Sequence, residues 1–89
     1  MDGERLEIIK QIADYMVKTG TSETTSGNYI FYFDEIANQF QLARLSTQLI
    51  EEIVYFILVN YRDEVSDIDY ANCFDINFWL SACKNFEED

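Results

Sequence analysis

The 89-residue chain is predicted to fold as one α+β domain with three helices and a short antiparallel sheet. Three patterns predict this class: two segments with apolar residues at helical spacing, a run of aromatic and β-branched residues between them, and alternation of polar and apolar residues in the last third. Because 48% of the residues are hydrophobic, we expect a single folded core within residues 1–89.

The first helix is predicted over about residues 3–19. Its apolar residues recur at spacings of three and four and would form one stripe: Leu6, Ile9, Ala13 and Met16. Gly20 is expected to end the helix, since glycine is common directly after a helical segment. The next residues, 20–27, are small and polar, which predicts a flexible, exposed loop.

A strand and two helices are predicted in the middle of the chain. Residues 29–33 are aromatic or β-branched and favour a buried strand. Asp34 is predicted to cap a short helix, and Ser46 or Thr47 a longer one. The longer helix has one apolar stripe, formed by Leu49, Ile50, Ile53, Val54, Ile57, Leu58 and Tyr61. Its opposite face is predicted to carry Gln48, Glu51, Glu52, Tyr55 and Arg62.

Two patterns compete in the last third. Residues 67–70 and 74–78 alternate strictly, which favours two strands with one polar face formed by Asp67, Asp69, Asp75 and Asn77. The alternative is a mostly α fold with a C-terminal helix at about 75–86. It is suggested by apolar residues at helical spacing, namely Ile76, Trp79, Leu80 and Cys83. Strands are favoured because Asp and Asn are poor helix formers. The tail, 87–89, is predicted to be frayed.

Charge is the strongest functional signal in the sequence. Seventeen Asp and Glu face six Lys and Arg, which gives a formal net charge of −11. This charge repels nucleic acid and anionic membranes, whose binding depends on Lys and Arg. It exceeds the magnitude of roughly 2–8 that suffices for solubility. We therefore expect a basic protein as partner, and neither direct nucleic-acid binding nor membrane binding.

Catalysis and cofactor binding are not predicted. The chain contains no histidine, which is the side chain best suited to acid–base work near neutral pH. The aspartates between residues 63 and 75 do not match the ligand spacing of a calcium loop, and Cys73 and Cys83 fit no metal or CxxC motif. Because the charged start lacks the apolar segment of a signal peptide, we expect a cytoplasmic protein with two free thiols.

The predicted order of elements resembles a winged helix-turn-helix domain over about residues 29–79. Residues 29–33 correspond to the first strand, the Ile36-Ala37 pair followed by Phe40 to the first helix of the motif, residues 45–49 to the entry of the second, and 68–78 to the wing. The resemblance implies DNA binding by the second helix. The glutamates on its predicted outer face oppose that activity, since phosphate contacts need cations.

The leading hypothesis is a non-enzymatic protein whose acidic face, with embedded aromatic residues, docks on a basic surface that normally holds nucleic acid. The predicted partner-binding residues are Glu51, Glu52, Tyr55, Asp67, Asp69 and Asp75. Such nucleic-acid mimicry resembles phage-encoded, anti-CRISPR-like inhibitors and acidic immunity proteins. Alternatives are a winged-helix transcriptional regulator and a structural subunit of a larger assembly. A homodimer is also left open, because small domains often complete their cores by pairing.

Overall fold

A computed structural model describes residues 3–86 and confirms the predicted α+β class. The described residues form three α-helices, a three-stranded antiparallel sheet and two 3₁₀ turns. The elements are α1 (Gly3–Glu23), β1 (Asn28–Phe31), α2 (Phe33–Gln39), α3 (Thr47–Asn60), β2 (Val65–Asp69) and β3 (Phe74–Phe78), followed by the turns Leu80–Ala82 and Lys84–Phe86. The predicted frayed tail, 87–89, lies outside the described residues.

Helix α1 continues to Glu23, so the prediction that it ends at Gly20 and that an exposed loop spans 20–27 is wrong. Gly20 lies within the helix against Phe78, and a Cβ atom there would be 2.3 Å from the ring atom Cζ. The glycine therefore permits a close approach of helix and sheet. Thr24 is also buried, and its hydroxyl accepts a hydrogen bond from the Gly27 amide at 2.9 Å. Residues 24–27 thus form a compact turn.

After this turn, the strand ends earlier than predicted and the short helix begins earlier than predicted. β1 ends at Phe31, and α2 already begins at Phe33. Asp34 is not the N-cap: that position is occupied by Tyr32, which makes no side-chain capping bond. Asp34 instead lies in the first turn, where its negative charge favours the positive end of the helix.

Helices α1 and α3 lie side by side and run in the same direction. Arg5 contacts Glu52 near their starts, and Tyr61 donates a hydrogen bond to Asp14 further along; both pairs are 47 residues apart. The predicted cap of α3 is confirmed, since the Ser46 hydroxyl accepts a hydrogen bond from the backbone of the first helical turn. The two parallel helices form one layer of the domain.

The predicted C-terminal hairpin is confirmed, and the alternative helix at 75–86 is wrong. Phe74, Ile76 and Phe78 are all buried, so β3 follows the two-residue period of a strand. Within the described part of the chain, only 3₁₀ turns follow it. None of the helices in residues 3–86 is long and apolar enough to cross a membrane.

The sheet has the strand order β1-β3-β2, with both neighbours antiparallel to β3. Its inner face packs on the helices. A bulge between Val65 and Asp67 shifts the register of β2, so Val65 and Ile68 both point inward despite their odd spacing. The outer face is left without a covering layer among the described elements, and this face holds part of the candidate site.

Candidate protein-binding surfaces

The six predicted partner-binding residues lie in two separate groups in the structure. The first group is on the outer face of the sheet, which we call the sheet face: Asp67, Asp69 and Asp75, with Asn28, Ile30 and Asn77. The second group lines a depression between α1 and α3, which we call the helical groove: Glu51, Glu52 and Tyr55, with Leu6, Ile9, Gln48 and Phe56. The residues predicted to bind a partner therefore lie on two surfaces.

The sheet face places its polar side chains in two rows across the three strands. In one row Asp75 lies between Asp69 on β2 and Ile30 on β1. In the other, Asn77 of β3 is flanked by Asp67 on one side. This arrangement confirms that the alternating residues of the hairpin share one face. Cβ atoms of directly opposed residues lie about 4.5–5.5 Å apart, so the Asp69 and Asp75 side chains leave the sheet from adjacent positions.

The sheet face contains no cation. The three strands have no Lys or Arg, and neither does the whole stretch 63–83, which holds five carboxylates. Like charges opposed across strands destabilise a sheet, on a scale of about 0.2–1 kcal/mol. Two local donors partly offset this: the Asn28 side-chain amide donates to Asp75, and the Ala71 amide donates to Asp69 at 3.0 Å. The negative charges themselves stay uncompensated.

A cysteine in the hairpin connection reports this negative field. Burial raises the pKa of the Cys73 thiol, and the negative charges of Asp75 and then Asp69 raise it further. The pKa of the buried Cys83 thiol is raised by burial alone. Both cysteines are free thiols, as expected from the sequence. Of the two thiols, only Cys73 has carboxylates among the causes of its raised pKa.

The helical groove is different in chemistry, since its walls are mainly apolar and one of its two glutamates is neutralised. Glu52 accepts a hydrogen bond and forms an ion pair with Arg5 Nε at 2.7 Å. Glu51 is exposed and forms no ion pair with any residue from 3 to 86. The groove has a volume of about 480 Å³. Tyr55 stands at its edge with 72% of its surface exposed.

Several residues of these surfaces were not predicted from the sequence. Leu6 and Leu58 belong to the predicted apolar stripes, yet they are 42% and 37% exposed. Val59, next to Leu58 on α3, is exposed as well. Tyr70 lies with Asp67 and Asp69 around a shallow depression at the hairpin end. Leu58 and Val59 follow Tyr55 at spacings of three and four, a helical pattern that could have indicated an outer stripe.

The two surfaces present acids and aromatic residues without the groupings that metal chemistry needs. Among residues 3–86, no three His, Cys, Asp or Glu side chains are grouped so that they could hold a metal ion. No family model, no curated protein and no solved structure matched the chain in our comparisons.

Proposed function

We propose that this protein is a non-enzymatic, cytoplasmic module that docks through the sheet face on a basic protein surface, as an inhibitor that imitates nucleic acid. The observation that carries the proposal is the grouping of Asp67, Asp69 and Asp75 on one sheet face that lacks any cation. Uncompensated carboxylates at this density attract a basic surface and steer its approach.

The cost of this arrangement supports a role in binding. Asp69 and Asp75 oppose each other across two strands, although Asn at either position would keep the hydrogen bonds and remove the repulsion. A surface selected only for solubility gains nothing from placing like charges at this distance. A surface that meets a cationic groove gains an attraction for each of them.

The test compares two variants of equal net charge as baits in cell extract. The sheet-face variant carries Asp67→Asn, Asp69→Asn and Asp75→Asn. The control carries Glu23→Gln, Glu35→Gln and Asp63→Asn, which are exposed positions off the sheet face. We expect wild type and control to capture the same basic proteins, and the sheet-face variant to lose them. Added duplex DNA should displace them from the wild-type bait.

Equal capture by the two variants would contradict the proposal, because the sheet-face aspartates would then contribute no more to binding than other exposed carboxylates. If the sheet-face variant loses the captured proteins but added DNA does not displace them from the wild-type bait, the docking surface is supported and the imitation of nucleic acid is not. Circular dichroism of all three proteins checks that the folds are the same.

A second candidate function is that of a winged-helix regulator, supported by the order of the elements from β1 to β3. In that function α3 would be the helix that enters the DNA groove. Its sequence, Thr47–Asn60, contains no Lys or Arg and exposes Glu51, which opposes the function. A gel-shift titration with duplex DNA at low salt decides between the two: a shift by purified protein would favour the regulator.

A further inference from the structure

The helical groove is a second surface, and its chemistry differs from that of the sheet face. Its floor and walls include Leu6, Ile9 and Phe56, while Tyr55 forms an exposed edge. Beyond Tyr55, the exposed Leu58 and Val59 continue the apolar strip along α3. Contiguous exposed apolar surface of this kind marks a place where another chain binds.

The shape of the groove favours a helical occupant. Its walls are two parallel helices, whose backbone groups already bond within each helix, and its lining atoms come from side chains. An extended strand would find no free backbone partners there, unlike at a sheet edge. A helix satisfies its own backbone and can lay apolar side chains into the groove at spacings of three and four.

The negative charge at the rim of the groove favours an occupant that carries positive charge. Glu51 stands unpaired among the described residues at the rim. A neighbouring depression shares Phe56 and is lined by Glu7, Asp14 and Lys10. Asp14 is paired with Lys18 at 3.0 Å, whereas Glu7 forms no ion pair with a described residue. A cationic partner helix is attracted to this rim. A second copy of the chain is repelled, because each copy carries a net charge of −11.

We infer that the helical groove binds an amphipathic, basic helix of a partner protein, with its apolar face against Leu6, Tyr55 and Phe56 and its cations beside Glu51. This inference does not depend on the sheet face. The two surfaces would allow the protein to hold one partner at two points, or a basic surface and a separate helix.

The test uses a fluorescein-labelled synthetic peptide of about 18 residues, five helical turns, with Leu on one face and Lys on the other. The control peptide has the same composition with the positions shuffled, so it has no apolar face. Anisotropy titrations should show binding of the amphipathic peptide to the wild-type protein, and binding of the shuffled peptide at least about tenfold weaker.

Variants locate the site. Tyr55→Ala should weaken peptide binding about tenfold or more, since buried tyrosines are frequent binding anchors. Tyr32→Ala removes a comparably exposed tyrosine outside the groove and should change the affinity less than about twofold. Glu51→Lys should weaken binding and reduce its salt dependence, whereas Glu23→Lys, with the same charge change at the far end of α1, should not.

Three results would overturn the inference. Equal binding of the shuffled peptide would show attraction by charge alone. Equal effects of Tyr55→Ala and Tyr32→Ala would place the peptide elsewhere. A dimer in sedimentation equilibrium that Tyr55→Ala abolishes would identify a second copy as the occupant. The sheet-face variant should bind the peptide within about threefold of wild type, so failure of this inference is distinguishable from failure of the docking proposal.

Discussion

The sheet face and the helical groove both expose carboxylates, but only the groove neutralises part of its charge. In the groove, Arg5 pairs with Glu52 across two helices, and apolar side chains surround the pair. On the sheet face, Asp69 and Asp75 oppose each other with no cation in any strand. A net charge therefore says little about binding until its neutralised and its uncompensated parts are separated. The uncompensated part is where a basic partner gains most.

The largest effect is expected from a substitution in α1 that disturbs both regions, because α1 forms a wall of the groove and also packs on β3. Gly20→Ala places a Cβ atom against the buried Phe78 ring. Overpacking costs about 1–3 kcal/mol, which should exceed the gain of about 1 kcal/mol in helix propensity. Thermal unfolding should show a lower Tm. Gly3→Ala, with no atom within 4 Å of its new Cβ, is the control and should be nearly neutral.

Replacing a carboxylate by an amide should change the free energy of unfolding in opposite directions in the two regions. In the groove, Glu52→Gln removes the ion pair with Arg5 and should lower the free energy of unfolding by about 0.5–1 kcal/mol. Its neighbour Glu51 has no ion pair with a described residue, so Glu51→Gln should stay within about 0.5 kcal/mol of wild type. Urea unfolding measures both. Equal effects of the two changes would remove the distinction between paired and unpaired carboxylates.

On the sheet face, Asp69→Asn should raise the stability by about 0.2–1 kcal/mol at low ionic strength, because it relieves the repulsion with Asp75. Asp67→Asn is the matched control and should gain less, since Asp67 faces the neutral Asn77. The gain should shrink in about 1 M salt, where the screening length is about 3 Å. A loss of stability on Asp69→Asn would refute the account of the sheet face as a strained acidic surface.

The smallest effect is a change in thiol reactivity. Burial, and then the charges of Asp75 and Asp69, raise the pKa of the Cys73 thiol above its ordinary value, so less thiolate is present at a given pH. Asp75→Asn should lower this pKa and speed alkylation of Cys73 by iodoacetamide at mildly alkaline pH. Cys83 serves as the internal control, since its pKa is raised by burial alone. Unchanged Cys73 alkylation would show that the aspartates do not set its titration.

The sheet face could be predicted from the sequence because its signal is local. Alternation in residues 67–70 and 74–78 fixes which side chains share a face, and the structure confirms this for Asp67, Asp69 and Asp75. The cap at Ser46 was predictable for the same reason, since its hydrogen bond spans only three residues. The two-residue alternation of residues 74–78 also predicted the structure correctly, whereas the helical spacing that competes with it after residue 75 did not.

The helical groove could not be predicted because it depends on contacts between distant parts of the chain. The ion pair of Arg5 with Glu52 joins residues 47 apart, and no local pattern indicates it. Gly20 looks like a helix stop, yet the Phe78 ring, far along the chain, gives it a packing role inside the helix. Leu6 fits an apolar stripe, but it lies at the edge of the helix interface and stays partly exposed.

Docking through the sheet face is tested most directly by the affinity for a basic partner that has been recovered with the wild-type bait. Dissociation constants of wild type, the sheet-face variant and the variant with Glu23→Gln, Glu35→Gln and Asp63→Asn would be measured by calorimetry at the same ionic strength. Docking through the sheet face predicts at least about tenfold weaker binding for the sheet-face variant and a change below about threefold for the control. Equal weakening of both variants would contradict it.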